Sequence, residues 1–455
     1  MPDVHLRHEG RSMEQIKRRF ETSFEVIRSF ASSGIAIGSR AAGVVIGFAM
    51  QLFLARILPV SELGTYFTVM SLALVLSVVC TVGYPMLMPK FVAEAAKSID
   101  PTHLNAFLRR TRIDWALASV LIVIAAIALV FSFSPAPGVL QYGLIIGILT
   151  APFLAALRLN GSLANALKRF ALGFIPDLLI RPALFSLIVV ALWYFAGFKD
   201  VVSILLIHLV VTVGLAFWQY MKVRKPVAQV FANSKNENAN VLELAGTRKR
   251  AAYLLIAMLF ISVIGELAIL FSSLLLDSGN VAVLAICLKI SSICGFGIYA
   301  VQQVAARDTA DAIVAKDFTA LKKLLLRTNL AGLLVALAAI LFVFVFGETL
   351  LSYFGQDFIV GYTSLLILML VNLFAAVAGP TLQIISVIGE EKRSGMIFLA
   401  SMAGMFVFNL ILIPTYGLEG AAVAFLLTAL IWPVSLGVLI KQKIGLYPAL
   451  FAERF

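Results

Sequence analysis

Apolar runs long enough to cross a bilayer recur along this sequence, and they constrain its fold more than any other feature. Twelve can be placed, near residues 34–57, 65–88, 114–133, 138–157, 171–195, 201–221, 251–275, 281–303, 328–347, 360–388, 395–413 and 419–440. A helix rises about 1.5 Å per residue, so roughly twenty residues span about 30 Å of hydrocarbon. Within lipid every backbone N–H and C=O must be satisfied inside the segment, which makes such runs helical. The expected fold is all-α, a polytopic membrane protein of about twelve transmembrane helices. Composition agrees: 61% of the 455 residues are hydrophobic and only 13% charged, more apolar surface than a soluble core of this length can hide.

Charge placement orients the runs. With residues 1–33 in the cytoplasm and the chain alternating, 31 of the 36 Lys and Arg residues fall in cytoplasmic segments. The other side keeps only Arg56 and Lys199, and Arg40, Arg181 and Lys289 lie within helices. Cytoplasmic loops collect Lys and Arg, and a miscounted helix would invert the bias of everything after it. The pattern predicts that both termini are cytoplasmic, and it accounts for the net charge of +12 without nucleic acid. The predicted organisation is a cytoplasmic N-terminal amphipathic segment (1–33), helices one to six (34–221), a cytoplasmic inter-lobe loop (222–250), helices seven to twelve (251–440) and a cytoplasmic tail (441–455). In the first segment Ile16, Phe20, Phe24, Ile27 and Phe30 recur at helical spacing among Lys17, Arg18, Arg19 and Arg28. It is too charged for a cleavable signal peptide, so none is expected. Six helices per half make any internal repeat parallel.

The loops are too short for a soluble domain, and no P-loop, nucleophile elbow or metal-ligand spacing appears. Cys80, Cys287 and Cys294 sit inside apolar runs and read as small buried hydrophobes. No catalytic residue, metal or cofactor is expected.

Three segments carry a family resemblance. Phe53-Leu-Ala-Arg-Ile-Leu-Pro-Val-Ser-Glu-Leu-Gly-Thr-Tyr-Phe67 resembles the first periplasmic loop of polysaccharide-biosynthesis flippases, with Pro59 where Gly is usual and Leu63 where an aromatic is usual. Val82-Gly-Tyr-Pro85 followed by Phe91-Val-Ala-Glu94 resembles the end of that family's second helix. Asn409-Leu-Ile-Leu-Ile-Pro-Thr-Tyr-Gly-Leu-Glu-Gly-Ala-Ala422 resembles its signature between helices eleven and twelve. The resemblance is to the superfamily of multidrug, oligosaccharidyl-lipid and polysaccharide exporters, the MOP superfamily, and within it to O-antigen and exopolysaccharide flippases. It implies two six-helix lobes around a central cavity that opens alternately to either side, in a bacterial inner membrane. The implied activity is movement of a polyprenyl-diphosphate-linked oligosaccharide from the cytoplasmic to the periplasmic leaflet. The implied partners are that lipid-linked oligosaccharide, membrane lipids, and the polysaccharide polymerase with its chain-length and export machinery.

Ionisable residues inside membrane helices are expensive and point to function. A diphosphate needs cations in a wet cavity, and Arg pairs with phosphate oxygens in a bidentate manner. Arg40, Arg181 and Lys289 are therefore the candidate substrate-binding residues. Arg40 has no acidic neighbour in sequence. Arg181 follows Asp177 by four residues, which puts the two on one helical face between Pro176 and Pro182; substrate contact and structural pairing both stay open for it. Glu266 and Lys289 fall at ~14 Å and ~12 Å from the periplasmic ends of adjacent antiparallel helices. They are either a neutralising pair or a cavity-lining pair coupled to opening, with Asp177 and His208 as further coupling candidates. Arg56 is expected to hold the fold of its loop. A cation-coupled multidrug exporter of the same superfamily is the alternative reading; it would favour acidic cavity residues, and the helices carry three cations to two acids. A membrane glycosyltransferase or polymerase would need a large extramembrane loop, which this chain lacks.

Overall fold

A computed structural model of the chain describes residues 38–97, 102–133, 138–231 and 245–449. The predicted amphipathic segment 1–33, residues 232–244 of the inter-lobe loop and residues 450–455 of the tail lie outside the described residues. The helices are α1 (Gly38–Ile57), α2 (Val60–Cys80), α3 (Met88–Lys97), α4 (Thr102–Phe133), α5 (Val139–Ala166), α6 (Phe170–Ile175) and α7 (Arg181–Ala196). They continue with α8 (Val201–Phe231), α9 (Ala245–Ser272), α10 (Ser278–Val314), α11 (Phe318–Ser352), α12 (Tyr362–Ala378), α13 (Thr381–Ile388) and α14 (Glu391–Ile444).

Helix α14 is two crossings. Straight, its 54 residues would extend about 80 Å, yet Lys443 near one end pairs with Glu390 just before the other, and Phe398 lies 6.3 Å from Trp432. The reversal occurs at Gly417, at φ 52° and ψ −124°, a conformation for which glycine is suited. Glycine at 420 then lets the second arm leave the turn, because a Cβ there would strike the Leu412 carbonyl. With α6 and α7 joined through a π-helical turn at Pro176–Ile180, and α12 and α13 forming one crossing broken at Gly379-Pro380, the described residues make twelve crossings. The all-helical, twelve-crossing expectation holds.

Connections alternate between two faces. The one carrying the Lys- and Arg-rich segments is called the basic face below, the other the opposite face. Several helices run past the predicted ends of the apolar runs at the basic face. Helix α5 continues to Ala166, α8 to Phe231 and α10 to Val314, so much of what was expected to be loop is helix.

Helix α2 is the hub. It packs on α5 from the first half and on α9 and α10 from the second, and its buried face (Leu63, Val69, Val78) joins Leu267, Ile286 and Leu365 in one apolar cluster. Helix α9 straddles both halves. Its first turns place Ala251 and Leu254 against Tyr84, Phe107 and Leu163, whereas its last turns pack on α14. Between them the helix kinks at Val263, whose φ of −139° breaks the helical run.

Candidate central cavity

A cavity of about 1260 Å³ opens between the halves, toward the basic face. Its walls come from α1, α5, α6 and the π turn on one side, and from α9, α10 and α13 on the other. Among the described residues, Arg40, Arg158, Lys168 and Arg181 carry positive charge at its wall, against the single carboxylate of Asp177. Ser162, Asn165, Ser262, Ser292 and Tyr299 add hydrogen-bonding groups, while Met258, Ile261 and Phe296 are apolar. The space is thus cationic and amphiphilic, able to hold an anion and an apolar body together.

The π turn sets the central charges. Pro176 opens it and Pro182 follows it, and proline removes a backbone donor from the helical ladder. Such bulges occur often at functional sites. Asp177 in the turn accepts a hydrogen bond from Arg181 Nε at 2.8 Å. Arg181 Nη1 lies 3.2 Å from His208 Nε2. A guanidinium has no lone pair, so His208 accepts through Nε2 and carries its proton on Nδ1, which is buried without a partner. Arg181 is therefore held at the cavity wall between an acid and a neutral imidazole.

Arg40 lines the cavity and sits over the Tyr299 ring at 5.7 Å. That contact joins α1 of the first half to α10 of the second. Glu266 and Lys289 meet at 2.5 Å, and Ser71 of α2 donates to the second Glu266 oxygen at 2.7 Å. Neither they nor His208 are among the lining residues; the cavity wall ends one turn away, at Ser262 and Ser292. Hydropathy ends the fourth apolar run at residue 157, which leaves Arg158 in a predicted loop. Helix α5 runs two turns further, which puts Arg158 inside the helix and beside Asp177 and Arg181. The stretch Arg158-Leu-Asn-Gly-Ser-Leu-Ala-Asn-Ala166 carries Asn160-Gly161, a turn signal that argues for ending the helix there, so the sequence gives no pointer to this residue.

The opposite face is shut. Arg56 does not serve only its own loop: its Nε donates to the Tyr353 carbonyl at 2.7 Å and its Nη2 to that of Ser352 at 3.3 Å, at the C-terminal end of α11. Beside this contact Gly64 lies against the Ser278 carbonyl so closely that a Cβ would collide with it. At the basic face a second link crosses the halves. Asp114 of α4 accepts from Tyr84 at 2.5 Å, from Arg110 at 3.2 Å, and from Arg248 of α9 at 2.5 Å and 3.1 Å.

Comparison with known proteins agrees with this geometry. A family model described as MatE matches residues 254–415, about a third of the chain. No curated protein matches. An inward-facing multidrug resistance MATE family transporter of the MOP superfamily superposes with a TM-score of 0.67 at 14% identity, over 89% of this chain and 94% of that one. The outward-facing conformation of such a transporter gives 0.59, also at 14% identity, over 90% and 95%. A MATE protein in its straight conformation gives 0.61 at 14% identity, over 90% and 96%. The chain has the fold of these MATE transporters.

Proposed function

We propose that this protein is an alternating-access exporter of amphiphilic compounds, and that its cargo is anionic. The MATE likenesses support the multidrug-exporter reading over that of a flippase for lipid-linked oligosaccharides. The observation that carries the choice of cargo is the cavity wall, four cations against one carboxylate, which suits an anion better than a cationic drug. Arg181 and Arg158 contact the anionic group, and Arg40 closes over it from α1. Asp177 is the carboxylate within reach of a coupling cation. The basic face is cytoplasmic, in keeping with the Lys and Arg bias and with the higher score against the inward-facing transporter.

The test is transport in proteoliposomes, with one anionic and one cationic fluorescent amphiphile of similar size. The anion is moved, and Arg181→Ala and Arg158→Ala each reduce its rate by about tenfold or more while the protein stays folded, as expected when a charge-assisted contact is lost. Transport of the cation alone overturns the assignment.

A second reading keeps one specific support: the same cation cluster suits a diphosphate, and the three flippase-like segments occur in order along the chain. On that reading the cargo is a polyprenyl-diphosphate-linked oligosaccharide and the partners are a polymerase and its export machinery. Deleting the gene would then leave lipid-linked repeat units on the cytoplasmic leaflet; unchanged surface polysaccharide with raised sensitivity to toxic anions excludes it.

A further inference from the structure

A second cavity, of about 440 Å³, lies away from the central one, in the first half between α4 and α8. Both helices pack on α5, which forms its floor. The interior is apolar, lined by Leu108, Trp115, Phe153, Leu159, Ala216 and Val223 among others. Its volume is in the range of small-ligand sites, roughly 300–1,000 Å³. Arg112 from α4 and Arg224 from α8 also line it, and both are exposed. The Arg112 guanidinium sits 5.8 Å over the Tyr220 ring, so a side chain of α4 bridges to α8.

Depth identifies the occupant. From the opposite-face ends of their helices, Phe133 and Val201, Arg112 and Arg224 lie about 32 Å and 35 Å along the axis. That is just past the about 30 Å of a hydrocarbon core, at the level of phosphates. Tyr220, and Trp218 with Lys222 at 6.0 Å over its ring, stand about 6–9 Å nearer the bilayer centre, at the edge of the hydrocarbon, as interfacial aromatics do. Arg109 and Lys225, exposed nearby on the same two helices, add positive charge at this level. Basic pockets between membrane helices on this side take anionic headgroups.

We propose that this slot binds an anionic glycerophospholipid of the inner leaflet, one acyl chain lying in the apolar cavity and the phosphate between Arg112 and Arg224. The site is separate from the cargo cavity and does not rest on the cargo assignment.

The experiment uses the purified full chain in detergent, titrated with phosphatidylglycerol or phosphatidylcholine of matched chains and followed by thermal midpoint and native mass spectrometry. Phosphatidylglycerol raises the midpoint with concentration and is retained. The Arg112→Gln/Arg224→Gln protein, with unchanged transport as the check on its fold, binds it about thirtyfold more weakly. Equal stabilisation by phosphatidylcholine, or undiminished binding by the double variant, overturns the proposal. Equal competition by glycerol phosphate assigns the site to a free anion instead. Binding seen only after removal of residues 1–33 assigns the slot to the chain's own leader.

Discussion

Lys289 reaches Glu266 at 2.5 Å, and Ser71 supplies a hydrogen bond to the other carboxylate oxygen, so both oxygens of Glu266 are held. The acid is 15% exposed and the lysine 29%, and neither lines the central cavity. The pair therefore joins α9 to α10, and through Ser71 to α2. Removing one member leaves the other buried and uncompensated, a loss of about 3–5 kcal/mol for such pairs. Lys289→Met should lower the thermal midpoint sharply, whereas the exchanged pair Glu266→Lys/Lys289→Glu should recover both the midpoint and transport. An exchanged protein that is stable but inactive would give the two charges separate roles. Asp277 acts at the same scale. Its side chain accepts from the Asn280 backbone N–H at 3.0 Å and caps α10. That bond holds its carboxyl below the usual carboxylate range. A group with a lowered folded pKa contributes stability that is complete above its unfolded value of about 4 and drains away as pH falls through the folded one. Asp277→Ala should cost about 1 kcal/mol at neutral pH, and Asp277→Asn should keep the cap while removing its acid sensitivity, both read from midpoints across pH.

Elements show what the sequence could and could not convey. The crossings were legible because hydrocarbon demands about twenty apolar residues, and no tertiary contact relaxes that demand. Their ends were not, because a helix continues through the interface wherever its outer turns find partners. Arg158 was lost for this reason: hydropathy ends helix four before it, but α5 carries on against α3 and α8. The pairing of Arg181 with Asp177 could be read from their spacing of four, whereas its contact with His208 needed the packing of α7 on α8. Asp114 is the first residue of the apolar run 114–133, and only the fold brings it Tyr84, Arg110 and Arg248. Its buried carboxylate fixes the first turns of α9 to α4, while beyond the kink at Val263 the helix packs on both α2 and α14. If the kink is where the helix flexes, the anchor must hold. Asp114→Asn keeps the Tyr84 contact but weakens both arginine pairs. It should slow transport while leaving cargo affinity within about threefold, since no group at the cavity wall changes. A variant with weakened binding but normal turnover would refute this.

At the scale of the molecule, the central cavity faces the basic side while, among the described residues, the opposite side is closed by a short list of contacts. Arg56 spans from α1 to the last carbonyls of α11, where the helix dipole favours a cation. Gly64 admits the Ser278 backbone beside it. For cargo to leave by the opposite face these contacts have to break together, because α1 and α2 carry one side of them and the α9–α10 turn and α11 the other. The closure is thus a latch with two known parts, and the halves can be tied across it. Val60 Cγ1, where a cysteine sulfur would stand, lies 3.9 Å from the position of a Cβ on Gly279, within about 1 Å of the roughly 3 Å between a disulfide sulfur and the partner Cβ. Val60→Cys/Gly279→Cys should cross-link under mild oxidation, hold the basic-face-open state and stop transport, with reductant restoring it. The three native cysteines sit within helices and are free, so the reversal reports the new bond. Arg56→Gln should act in the opposite sense, raising the fraction of molecules labelled from the opposite face without changing that fraction in the cross-linked protein. Transport that continues at full rate through an oxidised, cross-linked molecule would mean that the halves need not part there, and alternating access between these two faces would fail as the mechanism.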